Sequence, residues 1–280
     1  MKHIIHPKKH RSISVILLAA VVFLGLQAAA AALQKNQVGD FAQIAAYVYA
    51  FVIFWIIFSY DTYRRHIAAV PILWHELANY LILPSVIYFS TVALLFLAPF
   101  NRSLQELWIV LATLGLSIGL WYLQTVFHSH REGSRHLRQL LFATKLFASF
   151  LGFAAALGIG RHEGFGDIWT GLLVMLASHL LMRQAIFQHH DMHGHMLRFV
   201  LIVGLTLGLV GAFLYSFWNV NFYSAALLLS ALYSTIWGYV HHKYIDRDLT
   251  AQIIYEYLSV LFVVLVILFA TTDFSERLLR

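Results

Sequence analysis

The chain has no cysteine, which excludes both a disulfide framework and a thiolate metal site. It is also short of charge. Only 11% of its residues are Asp, Glu, Lys or Arg, against about 25% in a water-soluble domain. A surface so poor in charge faces something apolar. With 60% hydrophobic residues, that surrounding is a bilayer, whose core takes about 20 apolar residues per helical crossing. Several functional signatures are missing as well. No phosphate loop, dinucleotide fingerprint or nucleophile elbow occurs. "WHELANY" at 74–80 begins like a zinc-protease helix, but position 79 is Asn where the second His belongs. The last apolar run has no Lys at its middle, which argues against a retinal Schiff base. The net charge of +6 reflects where charges lie along the chain and does not imply a nucleic-acid partner.

What the chain does have is apolar runs of helical length. They fall near 12–33, 41–60, 77–98, 105–127, 140–160, 168–188, 197–217, 222–242 and 250–271. The sequence therefore predicts an all-α, polytopic integral membrane bundle, a single membrane domain over 1–280 with about nine transmembrane helices. "WNVN" at 218–221 divides an uncharged stretch too long for one crossing, and Pro84 is expected to kink the third span. The first span, with its basic start at 1–11 and "QAAAAALQ" at its end, also fits a cleavable signal peptide, which would leave eight spans. Counting Lys and Arg in alternate loops gives thirteen on one side and five on the other. The positive-inside rule then puts the N-terminus in the cytoplasm of a bacterial-type inner membrane.

Histidine is concentrated in packets. "VFHSHREGSRH" holds His128, His130 and His136, "IFQHHDMHGH" holds His189, His190, His193 and His195, and "YVHHKYIDRD" holds His241 and His242. The charge-derived topology, which made no use of histidine, places all three packets on the cytoplasmic side. Imidazole is a good ligand for first-row transition metals, and a carboxylate completes many such sites. His189 and His193 are one turn apart if the helix continues to them. Asp191 or Asp246 would serve as a further ligand or as an orienting partner. The alternative is that these are polar loops whose histidines sit beside anionic headgroups.

Other polar groups lie inside the spans. His179 and Arg183 are four residues apart in the sixth span. Ionisable groups in a bilayer are costly and mark candidate functional positions, although Arg183 is also close enough to an end to snorkel. Lys145 and Glu256 lie about two turns inside their spans, where a structural ion pair between them is the simplest expectation. Gly204-x-x-x-Gly208, followed by Gly211, matches a close helix-packing surface.

The number and side of the packets resemble the three His boxes of membrane desaturases and hydroxylases, although the spacings differ from the usual boxes. "VFHSHREGSRH" and "YVHHKYID" also resemble segments of the bacterial Brp/Blh-like β-carotene dioxygenases. That resemblance implies an iron site with His128 or His130, His136 and His242 among its ligands. The family's early Gly-Leu-Pro-His-Gly segment has no counterpart here. The expectation is an iron-dependent oxygenase or desaturase acting on a lipid or isoprenoid at the cytoplasmic leaflet, with membrane lipids as its surroundings. Its ligands would come from His189, His190, His193, His128, His130, His136, His241 and His242. Two other classes stand beside it. One is a transporter or metal-handling protein lined by His179, Arg183, Lys145 and Glu256. The other is a non-catalytic membrane subunit with His-rich loops.

Overall fold

The computed structural model describes residues 7–35, 38–67, 74–97, 102–129, 135–187, 194–217, 221–246 and 249–271. Among these the chain forms nine α-helices and no strand. They are α1 (Pro7–Gln34), α2 (Val38–Ile67), α3 (Trp74–Leu97), α4 (Arg102–Ser129), α5 (Arg135–His162), α6 (Asp167–Phe187), α7 (Gly194–Phe217), α8 (Phe222–Val240) and α9 (Ala251–Thr271). A π-helical segment, His241–Asp246, continues α8.

Each helix coincides with an expected span, and most overrun it by a few residues. Apolar sequence marks only the hydrocarbon core. The helix itself continues until water or headgroups can take over its backbone hydrogen bonds. α3 runs through Pro84 without ending. Beside it the Ser85 hydroxyl donates to Leu81 O at 2.6 Å.

Six of the helices, α1, α2, α4, α5, α7 and α9, are long and apolar enough to cross a membrane by themselves. In α3 the apolar stretch is shorter, Leu81–Leu97. α6 is diluted by His179, Arg183 and Gln184, and α8 by its serines and tyrosines. The outward faces are oily. Leu209 is 72% exposed and Phe262 65%, an arrangement that a protein in water rarely tolerates over large areas. The protein is a multi-pass membrane helical bundle.

The chain divides into two compact units, Met1–Ala148 and Ser149–Arg280, with the boundary inside α5. In the first unit α1 packs on α2 and α4, and α3 packs on α4. Leu18, Val22, Leu26 and Ala29 form the buried stripe of α1, with the spacing that puts side chains on one helical face. Gly25 admits α2 closely, since a Cβ there would fall 2.1 Å from Val48 Cγ2. Polar ties replace the hydrophobic drive that lipid cannot provide. Gln34 Nε2 donates to Gln105 Oε1 at 3.1 Å, and the Tyr49 and Ser85 hydroxyls share a hydrogen bond of 2.8 Å. The Tyr88 hydroxyl donates to Ala45 O.

In the second unit α6 and α7 form the most extensive helix pair, α7 packs on α8, and α8 packs on α9. The α5–α6 turn is closed at Gly164, whose φ of 66° suits a residue without a Cβ. Phe165 N donates back to Gly160 O at 2.8 Å, the six-residue bond of a Schellman cap. From α7 the Tyr215 hydroxyl donates to Phe165 O at 2.6 Å and to Gly160 O at 3.3 Å. One tyrosine thus ties the end of α7 to this turn.

Candidate functional site

The polar centre of the second unit grows out of a glycine seam. Along α6, Gly171, Met175, His179 and Arg183 follow one another at four-residue steps, and so form one ridge. α7 meets that ridge with Gly208 and Gly204, while Gly211 lies against Val174 beside it. A Cβ on Gly208 would lie 2.8 Å from both Gly171 O and Met175 Cβ. One on Gly171 would lie 2.9 Å from Gly208 O. One on Gly204 would lie 3.3 Å from His179 Cβ. The helices touch backbone to backbone and run antiparallel. Val200, one turn before Gly204 on α7, is fully buried.

Within two turns α6 carries three polar side chains with unanswered atoms. His179 Nδ1, Arg183 Nε and Gln184 Oε1 are all buried and have no hydrogen-bond partner among the described residues. The neighbouring Ser178 is fully buried but satisfied, since its hydroxyl is shared between Val174 O at 2.9 Å and Met175 O at 3.0 Å. Gln184 is 2% exposed. Arg183 lies within electrostatic reach of His179. Asp167, the only acid of α6, stands at its other end, about 24 Å away along the helix axis. An unpaired buried polar group costs about 1–3 kcal/mol, and an unpaired charge in hydrocarbon costs more.

A second concentration of chemistry lies at the end of α8. Chain continuity fixes its side. Only 218–221 separate α7 from α8, and the two helices pack together, so α8 returns antiparallel to α7. His241 and His242 therefore lie at the same end of this unit as Arg183. Their rings meet edge to face with centroids 5.7 Å apart. His241 also packs on Trp237 at 5.6 Å, and His242 on Tyr257 at 6.1 Å. Tyr257 also lies over Gly238, where a Cβ would meet its ring at 2.2 Å. Lys243 Nζ donates to Tyr239 OH at 2.9 Å. π-Helical turns are frequent at functional sites, and this one begins with two adjacent imidazoles.

The expected metal ligands separate into three groups. His241 and His242 are brought together as described. His128 and His136 belong to α4 and α5, but their side chains lie outside the described residues. His130, His189, His190, His193 and Asp191 lie wholly outside them. Among the described residues no group of three or more His, Asp or Glu side chains is placed to hold a metal ion. These described residues supply two imidazoles, whereas a non-haem iron centre takes two His and one carboxylate. Lys145, in the first unit, is 5% exposed. Glu256, in the second, is exposed, and its carboxylate accepts from Gln252 Nε2 at 3.4 Å. Sequence reasoning had passed over Gln184, whose one signal was a carboxamide inside an apolar run. It had also passed over the π-helical turn, which leaves no mark in composition.

No protein-family model matches the chain, and neither a characterised protein nor a solved structure shows significant similarity to it.

Proposed function

We propose that this membrane protein takes a lipid-soluble small molecule directly from the bilayer and handles its polar end at α6, either to carry it or to present it for chemistry. The observation that supports this reading is the run of unanswered polar atoms on His179, Arg183 and Gln184. In hydrocarbon such groups are retained when something binds them. Substrate would arrive sideways, since the flanking surface is leucine-rich and open to lipid. Retention of C18 amphiphiles by the purified full chain, read by native mass spectrometry, tests the reading. The wild type is expected to retain at least one of oleate and oleyl alcohol. The double variant His179→Phe, Arg183→Leu is expected to lose it. Absence of both from the wild type would overturn the reading.

The second reading is the iron-dependent oxygenase or desaturase that the resemblance implies. It is favoured by the juxtaposition of His241 and His242 on a π-helical turn at the same end of the unit as Arg183. Elemental analysis decides it. About one or two irons per chain, the occupancy of mono- and di-iron sites, with loss in His241→Ala, His242→Ala, is the expected result. A folded protein free of transition metal when expressed with added iron would sink it.

A further inference from the structure

We infer that Arg183 and His179 form a receptor for the oxyanion head, carboxylate or phosphate, of a membrane-dissolved amphiphile whose chain lies along Leu176 and Leu172. The inference rests on the bilayer-substrate reading above and names the class of its substrate.

The first argument is chemical. The guanidinium is a permanent cation whose planar fork matches an oxyanion in two parallel hydrogen bonds. Arg183 Nε and His179 Nδ1 are buried without partners among the described residues, and neither residue makes an ion pair there. Across the seam from His179 stands Gly204, where an added Cβ would lie 3.3 Å from His179 Cβ. Gln184 does not belong to this receptor. Its unanswered atom is an acceptor, and it projects about 140° around the helix from His179 at 100° per residue.

The second argument is shape. Leu172, Leu176, His179 and Arg183 occupy spacings of four, three and four, which define a single helical face. Leu172 is 45% and Leu176 55% exposed. The face is therefore polar for one turn and apolar and open for the next two. Arg183 lies four residues from the end of α6, about 6 Å in depth, and His179 about 12 Å. That depth suits a head group drawn slightly below the interface with its tail parallel to the bilayer lipids. A water-soluble anion would have no use for the leucine stripe.

The test uses the full chain in detergent, with oleate, oleyl alcohol and inorganic phosphate as probes and native mass spectrometry as the readout. Wild type is expected to retain oleate about tenfold more than oleyl alcohol, the equivalent of one charge-assisted hydrogen bond. Arg183→Gln should abolish that preference and Arg183→Lys should keep only part of it, since an ammonium lacks the fork. Millimolar inorganic phosphate should leave oleate in place. The comparison of two probes on wild type needs no variant, so a misfolded Arg183→Gln leaves the test intact.

Equal retention of both amphiphiles by wild type would overturn the oxyanion receptor while leaving the bilayer-substrate reading standing. Retention of neither would overturn both. Displacement of oleate by phosphate would overturn the amphiphile assignment. A rise in oleate retention on Asp191→Asn would show the guanidinium engaged by its own chain, and would likewise overturn the receptor.

Discussion

At Gly208 the backbone of α7 lies so close to α6 that a single added carbon would sit 2.8 Å from a carbonyl oxygen. Gly208→Leu is therefore expected to force the hairpin apart. Overpacking of this kind costs about 1–3 kcal/mol, read as a lowered midpoint in thermal unfolding of detergent-solubilised protein. Gly119→Ala, where an added Cβ meets nothing within 4 Å, is the control and should not lower it. Half of this seam was legible in the sequence, because Gly204 and Gly208 stand at small-xxx-small spacing. The other half was not. α6 answers with Gly171 alone, and a single glycine in an apolar run gives no spacing to recognise. Arg183 and His179 were legible as ionisable groups in a lipid-length helix. Their lack of partners was not, since it depends on which residues α7 sets across from them.

The helices were the most legible elements. A window without charges is long or it is not, and nine such windows became nine helices among the described residues. Their ends were less well marked, because hydrogen bonding carries a helix past its last apolar residue. The connections were hidden too. Nothing in "GRHEGFGD" announces that Tyr215, 50 positions after Phe165, will donate to its carbonyl oxygen. Tyr215→Phe removes that donor from a carbonyl already placed to accept it. The expected cost is about 0.5–1.5 kcal/mol, seen as a lower unfolding midpoint together with faster amide exchange around Gly164 and Phe165. The π-helical turn at His241 was invisible for a similar reason. It adjoins the close contact of Tyr257 with Gly238, and composition does not record such contacts. The histidine packets were conspicuous in sequence, but only His241 and His242 have a described geometry.

For the whole molecule, charge bias is the one signal that spoke about orientation, and it makes a clean prediction. The chain has no native cysteine, so single cysteines report without background. Gly166→Cys, at the α5–α6 turn, is expected to react with a membrane-impermeant maleimide on intact bacterial cells. Lys243→Cys, in the π-helical segment, is expected to react only after permeabilisation. The reverse pattern would invert the topology and move the histidine packets outside. The glycine seam carries a consequence for biogenesis as well. α6 holds an arginine, a histidine and a glutamine, and an arginine opposes insertion, by about 2.5–3.5 kcal/mol at a helix centre and by less near an end, where Arg183 lies. Its follower α7 is far oilier and fits it backbone to backbone. The translocon therefore has reason to release neither helix alone. The two would partition as a pre-zipped couple, the greasy member chaperoning the polar one into the lipid.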